Sequence, residues 1–203
     1  MSLYPGWIMM TEKKIMIGKK IQKDIASFLL AGQIGVLATD TLYGVVGSAL
    51  LKETVERIFA VRQRDLKKPL IILISSIEDL KYFAVEISQV QEKKLQAIWP
   101  GPVSVVLDCQ TEKFAHLQRG TKTLAFRLPA SEKLLNLLKK TGPLVAPSAN
   151  LSGQPPAQTI MQAQKYFQEK VDFYVDAGQL KSEPSTIIVL SKNGEERVLR
   201  GGK

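Results

Sequence analysis

Apolar residues recur along this chain with two different spacings. Between residues 19 and 31 they fall at i, i+4, i+7 and i+8, which is the spacing of one helix face, and Gly32 suits the cap that follows. Residues 34–38 instead form a short continuous apolar run, which is typical of a buried strand. The polar residues 39–41 follow that run directly. The start of the chain therefore predicts a helix and a buried strand that leads into a polar loop.

The same two patterns alternate to the end of the chain. Helical spacing recurs at residues 55–59, 88–98, 134–138 and 159–167, and a capping box of Ser76 and Asp79 starts a further helix. Apolar runs predict strands at residues 70–74, 103–107, 123–127, 144–146, 173–175, 186–190 and 196–199. The last two strands flank Asn193 and Gly194, which is a hairpin signal. Strands interleaved with helices and followed by a strand-rich end predict an α/β fold with a mixed sheet.

Composition fits one soluble domain with a sizeable core, because 45% of the 203 residues are hydrophobic and 23% are charged. We expect this domain to span residues 19–203, with residues 1–18 as an N-terminal extension whose first residues could come from an expression vector. No apolar run reaches about 18 residues, and the start lacks the pattern of a secretory signal. These features predict a cytoplasmic location and no membrane partner.

The chain has one cysteine, Cys109, and one histidine, His116. A disulfide framework and a Cys/His zinc site within one chain are therefore excluded. We expect His116 to be a surface histidine and Cys109 to be a small buried hydrophobic side chain. No acidic cluster has the spacing of metal ligands either, so we expect no metal held mainly by protein side chains.

The net charge of +9 and the pI near 9.6 indicate an anionic partner, such as a nucleotide or a nucleic acid. The chain contains neither the P-loop nor the Rossmann glycine motif. Five cationic residues instead crowd the stretch before the strand at 70–74: Arg57, Arg62, Arg64, Lys67 and Lys68. This stretch is either a solvated basic face or a clamp for a polyphosphate, since guanidinium groups bind phosphate oxygens bidentately.

Two polar segments are further candidates for a ligand site. Residues 146–153 are small and polar and follow a predicted strand, so they form either an ordinary turn or a loop that presents Ser148 and Asn150 to a ligand. Residues 39–44 combine two hydroxyls, a carboxylate and a phenol, which suits either helix capping and burial or a small polar ligand such as an amino acid. The residues alone leave both pairs of alternatives open.

These segments occur in a fixed order with four further motifs. The motifs are Trp99-Pro-Gly-Pro-Val-Ser104, Leu124-Ala-Phe-Arg127-Leu-Pro, Ser185-Thr-Ile and Val198-Leu-Arg200-x-Gly. The ordered set runs from about residue 19 to residue 202 and resembles the YrdC family of L-threonylcarbamoyladenylate synthases. The resemblance implies a twisted mixed sheet with flanking helices around a positively charged cavity that binds threonine and ATP.

The resemblance also implies roles for individual residues. The predicted ATP-binding set is Arg62, Arg64, Lys68, Ser148, Asn150 and Arg200, of which Arg62, Arg64 and Lys68 are the predicted catalytic residues. The predicted threonine pocket is Thr39, Tyr43, Arg127 and Ser185, with Arg127 as partner of the substrate carboxylate.

The implied reaction joins L-threonine, bicarbonate or CO2, and ATP into L-threonylcarbamoyl-AMP and pyrophosphate, for threonylcarbamoyladenosine modification of tRNA. Mg²⁺ is expected to accompany ATP, and tRNA or a tRNA-modification complex is the expected downstream partner. One alternative is a structured-RNA-binding protein that uses the same basic cavity, which would bind RNA directly. Another is the related carbamoyl-transfer domain of hydrogenase maturation proteins, which uses carbamoyl phosphate.

The sequence departs from the family pattern at five positions. Ala38, Asp65 and Gly201 stand where proline is usual, and Ser104 stands where threonine is common. Arg62 stands where lysine is usual. This last change keeps the charge but replaces a compact ammonium group with a planar fork, so the two side chains are not equivalent.

Overall fold

The computed structural model describes residues 15–16, 21–63, 70–181 and 183–202. Arg64 and Lys68, both predicted site residues, lie outside the described residues, as does most of the predicted N-terminal extension. The α-helices are α1 Ile21–Leu30, α2 Lys52–Arg62, α3 Gln89–Ile98, α4 Ala115–Gln118, α5 Glu132–Thr141 and α6 Ile160–Phe167. Two 3₁₀ helices cover Ile77–Phe83 and Glu112–Phe114.

The strands of the described residues form one mixed sheet in the order β1-β8-β2-β3-β7-β4-β6-β5-β9-β10. Their bounds are β1 Ile15–Met16, β2 Gly35–Ala38, β3 Tyr43–Ser48, β4 Ile71–Leu73, β5 Val103–Asp108, β6 Thr123–Arg127, β7 Leu144–Val145, β8 Phe173–Val175, β9 Thr186–Leu190 and β10 Glu196–Arg200. Strand β8 runs parallel to β1 and β2, β4 parallel to β6, and β5 parallel to β9, while the other pairs are antiparallel. The α/β fold with a mixed sheet is therefore confirmed.

The two faces of the sheet are covered differently because successive side chains of a strand point to opposite sides. Val36, Ile72 and Phe126 belong to the larger core cluster, together with residues of α2, α3, α4 and α6. Leu37 and Leu144 lie on the opposite face and pack against α1 and α5. Farther along this second face the sheet borders an open cavity, which contains the candidate site.

Local signals in the sequence correctly predict most elements. Strands β6, β8 and β9 have the predicted bounds, and the side chains of Ser88 and Thr159 cap α3 and α6. The predicted capping box of Ser76 and Asp79 is present, but it begins a 3₁₀ helix and not an α-helix. Gly32 has a left-handed φ of 78° after α1, as its capping position requires.

Strand β3 is missing from the sequence interpretation, which treated residues 39–44 as a loop and assigned nothing to residues 45–48. Glycines interrupt its short apolar run at positions 44 and 47. A Cβ atom at Gly47 would lie 2.5 Å from Thr54 of α2 and 2.9 Å from Ile34. Glycine therefore stands in this strand because helix and strand approach closely, a requirement that periodicity cannot reveal.

His116 was predicted at the surface, and this is wrong. It is half-buried on α4, and burial lowers the pKa of its imidazole. Cys109 is buried, as predicted. In the part of the chain that the structure describes, no helix combines the length and apolar character needed to cross a membrane.

Candidate functional site

A cavity of about 730 Å³ opens on the sheet face that α1 and α5 leave partly uncovered. Its floor includes Ile71, Val106 and Ala125, which share a face because they are paired across β4, β6 and β5. Six of the predicted site residues line it: Thr39, Tyr43, Arg127, Ser148, Ser185 and Arg200. The fold thus brings residues from both ends of the chain around one space.

Arg127 ends strand β6 and is 3% exposed. Its Nη2 atom lies 2.8 Å from Asp40 Oδ1, and its Nη1 atom donates to Thr41 Oγ1 at 3.2 Å. Burial lowers the pKa of Arg127, the carboxylate of Asp40 opposes that shift, and the charge of Arg200 adds to it. The result is a cation fixed against the cavity wall, which suits a small anion such as a carboxylate.

Thr39 holds the loop that follows β2. Its hydroxyl donates to the carbonyl of Leu42 at 2.8 Å and accepts from the backbone N–H groups of Thr41 and Leu42. The Arg127 guanidinium approaches the same hydroxyl at 3.4 Å. Thr39 therefore stabilises the loop between β2 and β3 and also lines the cavity. Helix capping, one of the interpretations left open by the sequence, is wrong here because the loop leads into a strand.

Tyr43 begins β3, and its side chain is fully buried. Its hydroxyl donates to the carbonyl of Gly178 at 2.8 Å and accepts from the N–H of Ala177 at 2.9 Å, with Asp176 Oδ1 at 3.3 Å. Burial is the main cause that raises the pKa of this phenol. The contacts make Tyr43 an anchor for residues 176–178, and a direct contact with threonine stays a prediction.

The polar loop after β7 is ordered by its own side chains. Ser148 Oγ donates to Asn150 Oδ1 at 2.7 Å, and Asn150 Nδ2 donates to the carbonyls of Leu151 and Gln154 at 2.9 and 2.7 Å. Ser148 reaches the cavity, whereas the 8% exposed Asn150 lies behind it. Arg62, which is 2% exposed, donates to both residues from the end of α2.

Ser185 and Arg200 also line the cavity and contact each other. Arg200 Nη2 donates to the carbonyl oxygen of Ser185 at 2.7 Å and to its hydroxyl at 3.3 Å. The hydroxyl of Ser185 also lies 3.0 Å from that of buried Ser104, so Ser104 helps to hold Ser185 in place. Burial lowers the pKa of Arg200 as well.

The described lining contains two charged side chains, Arg127 and Arg200, and no carboxylate. Asp40 contacts the first of these arginines, a pairing that the sequence interpretation did not propose. Arg57, part of the basic stretch, is bound through both Nη atoms to Asp172 and does not line the cavity. Thr41 and Ser104 lie in segments that the sequence analysis had singled out, but it gave neither residue a role, because the contacts of Thr41 with Arg127 and of Ser104 with Ser185 join positions far apart in the chain.

No group of three or more His, Cys, Asp or Glu side chains in the described part of the chain is arranged to hold a metal ion. The charged groups that the described residues bring to the cavity are guanidinium groups. This arrangement can bind anions and stabilise negative charge that develops in a reaction.

Known proteins resemble this chain in sequence and in structure. A family model described as "Telomere recombination", the Sua5/YciO/YrdC domain, matches residues 27–202. The threonylcarbamoyl-AMP synthase of Pyrococcus abyssi is 34% identical over 169 residues, which are 82% of this chain and 50% of that protein. The threonylcarbamoyl-AMP synthase of Hahella chejuensis is 32% identical over 171 residues, which are 82% of this chain and 91% of that protein.

The fold is also that of a solved structure. The crystal structure of P. abyssi Sua5 complexed with L-threonine matches with a TM-score of 0.83 and 33% identity, covering 92% of this chain and 55% of that one. The chain thus spans about half the length of the Pyrococcus relative. Since the family model covers most of the sequence and the fold agrees, this chain belongs to the Sua5/YciO/YrdC family.

Proposed function

We propose that this chain is a threonylcarbamoyl-AMP synthase, which forms L-threonylcarbamoyl-AMP and pyrophosphate from L-threonine, bicarbonate or CO2, and ATP. The observation that carries the proposal is one cavity lined by a buried arginine beside two threonine hydroxyls and by a second arginine, Arg200. Both relatives described above bear this activity in their names. The product would serve threonylcarbamoyladenosine modification of tRNA.

L-threonine would bind with its carboxylate on Arg127. This guanidinium is held in place by Asp40 and Thr41, so little conformational entropy is lost when the substrate binds. Thr39 and Ser185 line the same space and would complete the polar contacts. The Pyrococcus protein crystallised in complex with L-threonine, which supports an amino-acid site in this cavity.

ATP would occupy the part of the cavity between Ser148 and Arg200. Ser148, Asn150 and Arg200 are the described members of the predicted nucleotide set, together with Arg62 behind the loop. Arg64 and Lys68 complete that set as predictions from the sequence. Positively charged side chains around the phosphates lower the energy of the transition state, because negative charge spreads over the phosphate oxygens during transfer of the adenylyl group.

The reaction needs no covalent enzyme intermediate. The amine of threonine takes up CO2 with loss of a proton, or bicarbonate with loss of water, and becomes a carbamate. A carbamate oxygen then attacks the α-phosphorus of ATP, the bond from that phosphorus to the bridging oxygen breaks, and pyrophosphate leaves. The enzyme contributes mainly by positioning the carbamate in line with the leaving group and by stabilising charge.

Mg²⁺ would be held by the phosphate oxygens of ATP and by water. The described lining offers no carboxylate to the ion, and Asp40 is already paired with Arg127. The ion would add positive charge at the phosphates when it enters with the nucleotide.

The direct test is pyrophosphate release by the purified protein with Mg-ATP and bicarbonate. We expect release that depends on L-threonine, together with a threonylcarbamoyl-AMP product seen by mass spectrometry. Release driven by carbamoyl phosphate instead would favour the hydrogenase-maturation type of chemistry. Salt-dependent binding of structured RNA without threonine-dependent turnover would favour the RNA-binding alternative, for which the net charge of +9 is the supporting observation.

A further inference from the structure

Arg62 connects the end of helix α2 to the polar loop at residues 147–154. Its Nε atom donates to the carbonyl of Asn150 at 3.1 Å, and its Nη2 atom donates to Asn150 Oδ1 at 2.9 Å and to Ser148 Oγ at 3.3 Å. One planar guanidinium group therefore contacts the backbone and the side chain of Asn150 and the side chain of Ser148.

The backbone reinforces this connection. The N–H of Ser152 donates to the carbonyl of Arg62 at 2.9 Å, and the N–H of Ala149 donates to the carbonyl of Tyr43 at 2.7 Å. The loop is thus attached to α2 on one side and to strand β3 on the other. Arg62 is buried and is not part of the described cavity lining, whereas Ser148 is.

We propose that Arg62 is a positioning residue, which sets the orientation of Ser148 and Asn150 for the nucleotide and acts on ATP through them. This role differs from the direct phosphate contact that the family resemblance implies for this position. It rests on the proposed function as far as the nucleotide is concerned. The effect of Arg62 on the loop is a property of the ligand-free protein and can be tested without any activity.

The first test is hydrogen–deuterium exchange of the ligand-free protein, measured on peptides that cover residues 147–157. Replacing Arg62 by methionine keeps the length of the aliphatic side chain and removes the hydrogen-bond donors. Exchange in these peptides should rise at least about fivefold, because the loop loses the hydrogen bonds from the guanidinium group. Arg57→Met is the matched control, since it removes an arginine of the same helix that is bound to Asp172 at the surface. This control should leave the peptides unchanged.

Arg62→Lys is a second variant in case Arg62→Met does not fold. Lysine keeps the positive charge but has no planar fork, so we expect a smaller rise in exchange in the same peptides. Exchange identical to wild type in a folded Arg62 variant would overturn the positioning role.

The second test is a double-mutant cycle on pyrophosphate release. Arg62→Met should lower kcat/KM for ATP by about tenfold to a hundredfold, with KM for threonine changed less than about twofold. In a Ser148→Ala/Asn150→Ala background the same change should cost less than about threefold, because the side chains on which Arg62 acts are gone. An equal loss in both backgrounds would mean that Arg62 contacts the phosphates directly and would overturn the proposal. If the wild type shows no threonine-dependent release, the proposed function fails. The exchange experiment then tests by itself whether Arg62 orders the loop at residues 147–154.

Discussion

Arg127 is a charged side chain withdrawn from water and held by the loop that follows β2. Asp40, Thr41 and Thr39 surround its guanidinium, so the charge is both compensated and oriented. Breaking a buried pair by removing one partner is costly because the other charge is left without a partner. Substitutions here must therefore be designed to separate binding from folding.

Replacing Arg127 by glutamine should raise KM for L-threonine at least about fiftyfold, because the substrate carboxylate loses its cationic partner. The single variant should also lose about 3 kcal/mol of unfolding free energy, since Asp40 stays buried without a counter-charge. Adding Asp40→Asn should recover part of that stability and none of the threonine affinity. Steady-state kinetics and urea unfolding measure the two effects, and a KM near the wild-type value in either variant would contradict the carboxylate assignment.

The buried phenol of Tyr174 should make the unfolding free energy sensitive to alkaline pH. Its buried hydroxyl donates to the carbonyl of Gln168 at 2.6 Å, and burial raises the pKa of the phenol to about 12. Below pH of about 10 the phenol is neutral in both the folded and unfolded states, so its contribution to stability is complete. Between about pH 10 and 12 the unfolded state ionises first, and the unfolding free energy falls.

From pH 9 to pH 11 the wild type should therefore lose up to about 1 kcal/mol more unfolding free energy than Tyr174→Phe. The measurement is the urea midpoint at both pH values, with equal m-values as the control for two-state behaviour. A Tyr174→Phe protein with the same alkaline loss as wild type would show that other groups carry the effect.

At the scale of elements, the close approach of strands and helices decides where glycine stands. Gly35 of β2 pairs with Phe173 of β8, and a Cβ atom at position 35 would lie 2.3 Å from the ring of Phe173. That ring is buried and stacks on Phe28 of α1, so it has little room to move. The glycine thus allows α1 to cover this end of the sheet.

Gly35→Ala should lower the unfolding free energy by about 1–3 kcal/mol through overpacking against Phe173. Gly201→Ala is the matched control, because a Cβ atom at Gly201 meets no atom within 4 Å among the described residues. Thermal unfolding of both variants checks the prediction. Equal melting temperatures of the two variants would mean that the sheet accommodates the added methyl group at Gly35 without loss of stability.

At the scale of the whole molecule, the cavity exists only because the long sheet brings distant strands around one space. Its lining comes from the loops that follow β2 and β7 and from strands β3, β4, β5, β6, β9 and β10. Ligands that bind this folded arrangement and not the unfolded chain must stabilise it. Stability is therefore a readout of binding that does not require turnover.

L-threonine at about one hundred times its dissociation constant should add about 2.7 kcal/mol to the unfolding free energy and raise the melting temperature by several degrees. D-threonine is the matched control, because the same groups attached with inverted geometry cannot meet Arg127 and the hydroxyls together. Differential scanning fluorimetry with both enantiomers makes the comparison. Equal shifts would indicate a general effect of amino acids and no shaped site.

Most of the elements, their order along the chain and the family could be predicted from the sequence. Helix caps, hydrophobic periodicity and turns depend on residues close together in the chain, so the capping box of Ser76 and Asp79 and the hairpin at Asn193 could be predicted. The ordered motifs also identified six of the residues that line the cavity, including Arg127 and Arg200.

The contacts that these residues make with one another depend on the three-dimensional fold. Tyr43 anchors Gly178 across 135 positions, and Arg62 holds Asn150 across 88. Strand β3 and the pairing of Asp40 with Arg127 likewise depend on neighbours that are distant in sequence. Such contacts depend on how the sheet brings its strands together, and no local pattern encodes that geometry, because the free energy of each contact arises only when the chain has closed the intervening loops.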